Sequence, residues 1–237
     1  MAYRSMSLED FARYVGMDPR EVRHLADQGR LPGQKVGGQW RFNQARVTEW
    51  LQQEMHTLDE ARLIALERAM TGSSGHEADM VVTSLIGLEG IDVALPARTK
   101  ASVLRELVNL ADRTGLLYDA DGLLKAIQER ESLCPTALPN GVAIPHPRQP
   151  MPYVSAEPFL CVAHVPRGIG FGSARGELSQ LFFLICCHED RHHLQVLARL
   201  VRVLDSETVA MLRQAETPQD VLQTLIAKEA HIVAQTR

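Results

Sequence analysis

The residues able to do chemistry fall into three clusters. His146 stands between Pro145 and Pro147 at the end of a short extended run, Asn140-Gly141-Val142-Ala143-Ile144. Two prolines restrict the backbone around it, so the imidazole is presented stiffly. An imidazole can serve as base, nucleophile or metal ligand near neutral pH, and spacing alone does not choose among these. Most single histidines only fill a core or a surface, and His76, His164 and His231 carry no further signal. The second cluster, Cys186-Cys187-His188 with His192-His193, holds the ligand types of zinc. Successive strand residues point to opposite faces, however, so Cys186 and Cys187 do not chelate together, and neither a metal nor another cofactor is expected. The third cluster is cationic. Arg20, Arg23, His24 and Asp27 recur at i, i+3, i+4 and i+7, opposite the apolar Val22, Leu25 and Ala26, which leaves a basic helix face with no core role.

A chain of 237 residues is long enough for two compact units. The run Thr71-Gly72-Ser73-Ser74-Gly75 is rich in Gly and Ser and reads as the linker between them. The expected division is 1–55, then a helix and linker over 56–77, then 78–237. In the first part, Ser7 and Asp10 cap a short helix bearing Leu8, Phe11, Ala12 and Val15. Asp18 caps a second helix with Pro19 at its first position and Glu21 completing a capping box, and Gly29 stops it. The glycine pair in Lys35-Val36-Gly37-Gly38-Gln39-Trp40-Arg41-Phe42 signals a hairpin, and Asn43 caps a third helix with Val47, Trp50 and Leu51. Phe11, Leu25 and Phe42 are expected to share its small core. Thr57 and Glu60 form a capping-box pattern ahead of a further helix through Met70.

Gly29-Arg30-Leu31-Pro32, the glycine-paired run and Trp50-Leu51 together resemble the excisionase-like branch of the MerR-type winged helix-turn-helix family. That resemblance implies a recognition helix over 19–28 in the major groove and a wing beside it. Arg20, Arg23, His24 and Arg30 would then reach bases or phosphates, with Lys35 and Arg41 as phosphate clamps. Charge adds little, since residues 1–55 hold eight Lys or Arg against seven acids. One such module makes a small interface, so a homodimer is expected on DNA.

In the second part extended runs at Ile91 to Leu95, near 158–165 and near 179–187 alternate with helices near 99–114, 120–131 and 190–229, which predicts an α/β domain: a sandwich with a mixed central sheet and helices on both faces. Leu181 to Cys187 is apolar throughout and reads as its central strand. Ile86-Gly87-Leu88-Glu89-Gly90-Ile91, Gln128-Glu129-Arg130-Glu131, the proline-flanked His146 and His192-His193-Leu194 together resemble the IIA proteins of the sugar phosphotransferase system, mannitol/fructose and nitrogen-regulatory type. The resemblance implies that His146 is the phosphorylated histidine, His193 its partner and Arg130 the arginine beside the site. In that chemistry a neutral imidazole attacks phosphorus in line, its other nitrogen fixed by a hydrogen bond. A second imidazole and a guanidinium stabilise the phosphoryl oxygens. Pro147 stands where family members often carry Gly, and Cys134-Pro135-Thr136 replaces a more usual Gly-Ser/Thr pair.

The remaining composition is ordinary for a globular chain: 45% apolar, 23% charged, 5% aromatic and a formal net charge of -4. The longest apolar stretch falls far short of the roughly 20 residues that cross a bilayer, and residues 1–7 lack the apolar core of a secretory signal. A cytoplasmic location follows, with four reduced, mostly buried cysteines, Cys134, Cys161, Cys186 and Cys187. The expected protein is a DNA-binding regulator whose IIA-like domain accepts phosphate on His146 from an HPr-like carrier. The alternatives are an intermediate handing phosphate to a separate IIB protein, and a IIA-like binding platform that carries none.

Overall fold

The computed structural model describes residues 5–71, 80–173 and 175–236. Packing divides the chain into two units, Met1–Glu77 with Leu194–Arg202, and Ala78–His193 with Val203–Arg237. The Gly/Ser run from 72 to 75 lies outside the described residues.

The first unit begins with strand β1 (Ser5–Met6) and helix α1 (Leu8–Val15). Ser7 Oγ accepts from Asp10 N and Asp10 reaches back to Ser7 N, so the expected capping box is present, and Gly16 at φ +72° ends the helix. Helix α2 (Pro19–Asp27) starts with Pro at its first position and stops before Gly29, also at φ +72°. Its cap differs from expectation. Asp18 accepts from Arg20 N, whereas Glu21 turns away to the Arg62 guanidinium, a charge-assisted partner that outcompetes a neutral backbone amide. Strands β2 (Gly33–Val36) and β3 (Gln39–Asn43) form the hairpin around Gly37 and Gly38, both at positive φ, and β1 pairs with β3 on its other side.

Helix α3 (Gln44–Glu54) is capped by Asn43. Its Val47 and Leu51 close a core with Phe11 and Phe42, whose rings stack at 4.3 Å; Leu25 is buried there and Trp50 half-buried. Helix α4 (Glu60–Thr71) begins later than Thr57 and Glu60 suggest. Thr57 sits in a single 3-10 turn and donates to Glu54 O, while Asp59 accepts from Arg62 N and is the working cap. Helix α4 packs on α1, so closely that a Cβ on Gly16 would lie 2.4 Å from Ala65 O. Within this unit Glu67 of α4 is buried and bonds both Arg199 and Arg202, the latter at 2.9 Å.

The second unit holds a four-stranded mixed sheet in the order β4 (Ile91–Asp92), β6 (Phe159–Gly170), β7 (Leu178–Cys186), β5 (Val142–Ala143). β6 and β7 are antiparallel, and the short outer strands run parallel to their neighbours. β7 is internal and buried on both faces, as its unbroken apolar run predicts. Helices α5 (Lys100–Arg113) and α6 (Ala120–Leu133) cover the face carrying Phe182, Leu184 and Cys186. Helix α7 (Asp190–Val203) follows β7, and α8 (Ser206–Gln214) and α9 (Pro218–Thr236) complete the unit, α8 touching β7 and α9 touching β4. Two strands differ in length from their sequence pattern. β6 runs on to Gly170 through a register break between His164 and Ile169, where Gly168 takes φ +66°. The expected strand from Ile91 to Leu95 pairs only over Ile91–Asp92, with one further bond from Leu95 N to His164 O.

Candidate functional site

The cations singled out on α2 and the hairpin lie mostly at the surface. Arg20, Arg23, His24 and Arg30 are exposed and Arg41 is half-buried. The structure brings Arg23 and Arg41 to one surface cavity of about 220 Å³, shared with Ser7, Gln39 and Trp40 between α2 and the hairpin. Lys35 is engaged: its ammonium lies 2.9 Å from Asp27 and 5.0 Å over the Trp40 ring, which ties hairpin to α2. The Lys35 contact holds the Asp27 carboxyl below the ordinary value. Arg46 borders a second cavity with Arg41 and Gln34. It was missed in sequence, where it reads only as the residue whose N–H the Asn43 cap receives.

The site around His146 is built in the opposite way. The segment leading to His146 is a narrow pair of arms, with Leu138 N bonded to Val142 O and Ile144 N to Thr136 O. β5 holds one arm against β7, and Ile185 N donates to Pro145 O, so the proline-flanked turn is anchored to the central strand. His146 is only 2% exposed. Its Nδ1 bonds the carbonyl of Ile144 at 2.7 Å, a contact that requires Nδ1 to carry the proton. Nε2 is then the lone-pair nitrogen, and it is buried with no partner among the described residues.

His193, in the first turn of α7, meets it with ring centroids 4.9 Å apart and planes tilted by 50°, and its Nε2 is likewise buried and unpartnered. Burial holds His146 well below the ordinary histidine value, with His193 and Arg130 adding to the effect against the Ile144 bond. Burial first, then His192 and Arg130, push His193 down to about 3. Both rings are therefore neutral at physiological pH. Arg130, 4% exposed on the last turns of α6, donates from Nη1 to Cys134 O while its Nε has no partner among the described residues. Sequence reasoning passed over the support behind it. Glu131 bonds Lys100 at 2.8 Å and both donors of Thr136, and the adjacent Arg130-Glu131 pair was the only available signal.

The second cluster in the sequence divides. His193 joins His146, whereas Cys186 and Cys187 are buried thiols pushed up to about 12 by desolvation, and His188 bonds Ser155 Oγ at 3.0 Å. All four cysteines are free, and Cys134 is half-exposed. Among the described residues no helix is long and apolar enough to cross a membrane.

A sheet-and-helix unit presenting two buried, neutral, facing imidazoles beside a guanidinium, together in one chain with a winged helix-turn-helix, defines a two-module protein. Residues 84–228 match the family described as phosphoenolpyruvate-dependent sugar phosphotransferase system, EIIA 2, and residues 5–55 match the helix-turn-helix domain family. The chain belongs to the EIIA 2 family and carries a helix-turn-helix domain fused to it. A nitrogen regulatory protein of Bradyrhizobium diazoefficiens is 31% identical over 151 residues, 62% of this chain and 95% of that one. The fructose-specific EIIABC component of Bacillus subtilis is 28% identical over 60% of this chain, which spans only 22% of that longer protein. Among solved structures, the nitrogen regulatory protein IIA-Ntr of Neisseria meningitidis superposes with a TM-score of 0.55 at 23% identity, covering 61% of this chain and 99% of that one, and supports the fold.

Proposed function

We propose that this chain is a cytoplasmic DNA-binding regulator whose IIA domain accepts a phosphoryl group on His146. One observation carries the reading: the buried His146 ring spends its Nδ1–H on Ile144 O and leaves Nε2 unpartnered toward a site shared with His193 and Arg130. The Nε2 lone pair attacks the phosphorus of a phosphohistidine on an HPr-like carrier. A new N–P bond forms, the carrier's N–P bond breaks, and that electron pair returns to the carrier's imidazole. No proton need leave His146. Arg130 and His193 serve the phosphoryl oxygens.

The exposed Arg20, Arg23, His24 and Arg30, with Arg41 on the hairpin, take up DNA backbone and base edges, and Lys35 acts there by bracing the hairpin on Asp27. Two copies supply the interface that one small module lacks. Roughly two negative charges added at His146 shift DNA affinity. This coupling is motivated by the fusion of the two modules in one chain.

The test is incubation of the chain and of His146→Ala with enzyme I, HPr and phosphoenolpyruvate, read by intact mass, followed by DNA affinity of both forms. One acid-labile phosphoryl group, lost in His146→Ala, and a changed affinity are expected. Uptake without any change in affinity, with onward passage to a IIB protein, would replace regulation by transfer. No uptake beside a working control would leave a binding platform.

A further inference from the structure

Glu131 has a buried carboxylate that the transfer step itself does not use. Its side chain is 2% exposed and pairs with Lys100 Nζ at 2.8 Å. It also takes both donors of Thr136, the backbone N–H at 3.2 Å and the hydroxyl in a short bond. Lys100 is itself fixed, donating to Phe171 O at 3.1 Å with its ammonium over the Phe171 ring at 4.7 Å. From Thr136 the bonding continues toward the site: Thr136 O receives Ile144 N–H at 3.2 Å, and Ile144 O receives His146 Nδ1–H at 2.7 Å. Every link lies inside the second unit.

We propose that Glu131, braced by Lys100, is a positioning residue for His146: by clamping Thr136 it holds the Ile144 carbonyl that selects the Nδ1–H tautomer. Two features distinguish this from simple loop stapling. The Glu131 carboxylate is buried while Lys100 is 32% exposed, and burying a charge against a partly solvated partner gains little stability over apolar packing, so stability alone gives weak reason to place it there. Other braces on the same loop, Arg213 Nη2 to Asn140 O at 2.6 Å and Ile185 N to Pro145 O at 3.1 Å, leave the Ile144 carbonyl untouched. The consecutive Arg130 and Glu131 thus divide the work, Arg130 holding Cys134 O and Glu131 holding Thr136. The inference rests on the phosphoacceptor reading only for why the tautomer matters.

Long-range proton–nitrogen NMR of the full chain reads the tautomer directly, with His146 assigned from His146→Gln and spectra taken at about pH 8, where neutral imidazole prevails. The unmodified chain should show His146 as the Nδ1–H form. Glu131→Gln and Thr136→Val should each lower the ratio of Nδ1–H to Nε2–H about tenfold, the scale of one weakened hydrogen bond, and Thr136→Ser should restore it. Should Glu131→Gln not fold, Thr136→Val, which keeps side-chain volume, decides alone. A folded variant that keeps the original tautomer ratio overturns the proposal. Because the readout needs no phosphate, a shifted ratio in a protein that never accepts phosphate would uphold positioning while ending the phosphoacceptor reading. Uptake with an unmoved ratio would do the reverse.

Discussion

The two modules place their functional groups under opposite physical conditions. Arg20, Arg23 and His24 of the helix-turn-helix lie open on α2, exposed to water. His146, His193 and Arg130 are at most 4% exposed, where desolvation keeps the two imidazoles neutral and leaves two ring nitrogens without a partner among the described residues. A surface that reads a long polyanion needs reach and many weak contacts. A site that takes one phosphoryl group needs a dry, prearranged geometry. Substitutions in the open set should therefore act separately and weakly, and those in the buried set strongly and together.

The largest effect tests burial outside the transfer site. Glu67→Ala would remove the buried carboxylate that Arg199 and Arg202 share, leaving Arg202 the exposed Glu60 at 3.8 Å, and should cost about 3 kcal/mol in chemical denaturation; a loss below about 1 kcal/mol would mean that solvent screens the trio. Next, Arg130→Met should slow phosphoryl uptake by roughly 100- to 1,000-fold, measured in single turnovers, as expected for removal of one preorganised charge. A tenfold effect would demote the guanidinium to holding Cys134.

Acid should separate the modules as well. The folded chain keeps His146 and His193 neutral while the unfolded chain protonates near 6.5. The unfolded state thus binds more protons as pH falls from about 6.5 toward about 3, and stability drops through that window, with no contribution above it. Denaturation midpoints at about pH 7.5 and about pH 5 should therefore diverge more in the unmodified chain than in a His146→Gln/His193→Gln variant; equal divergence would mean other groups dominate. The smallest effect belongs to the open surface. Arg23→Ala or Arg41→Ala should each lower the salt dependence of DNA binding by roughly one counterion, additively. Strong non-additivity would show that their shared cavity binds one phosphate with both.

Much of the fold was legible because its signals are local. The Ser7 box, Pro19 with Gly29, the Gly37-Gly38 turn and the Asn43 cap each involve residues a few positions apart, and all form. Expectations slipped where a distant residue outcompeted a near one, as when Arg62 drew Glu21 from its cap and α4 started at Asp59 instead of Thr57.

By itself, then, the sequence determined most helix ends, the hairpin, the buried central strand and the stiff presentation of His146 between two prolines, because these depend on backbone preference and periodicity. Tertiary structure alone decided which nitrogen of His146 is free, that Glu67 is buried between two arginines and that Glu131 is buried against Lys100 and Thr136. Those outcomes depend on which groups lose water together, and desolvation is a property of the packed chain, not of any segment of it.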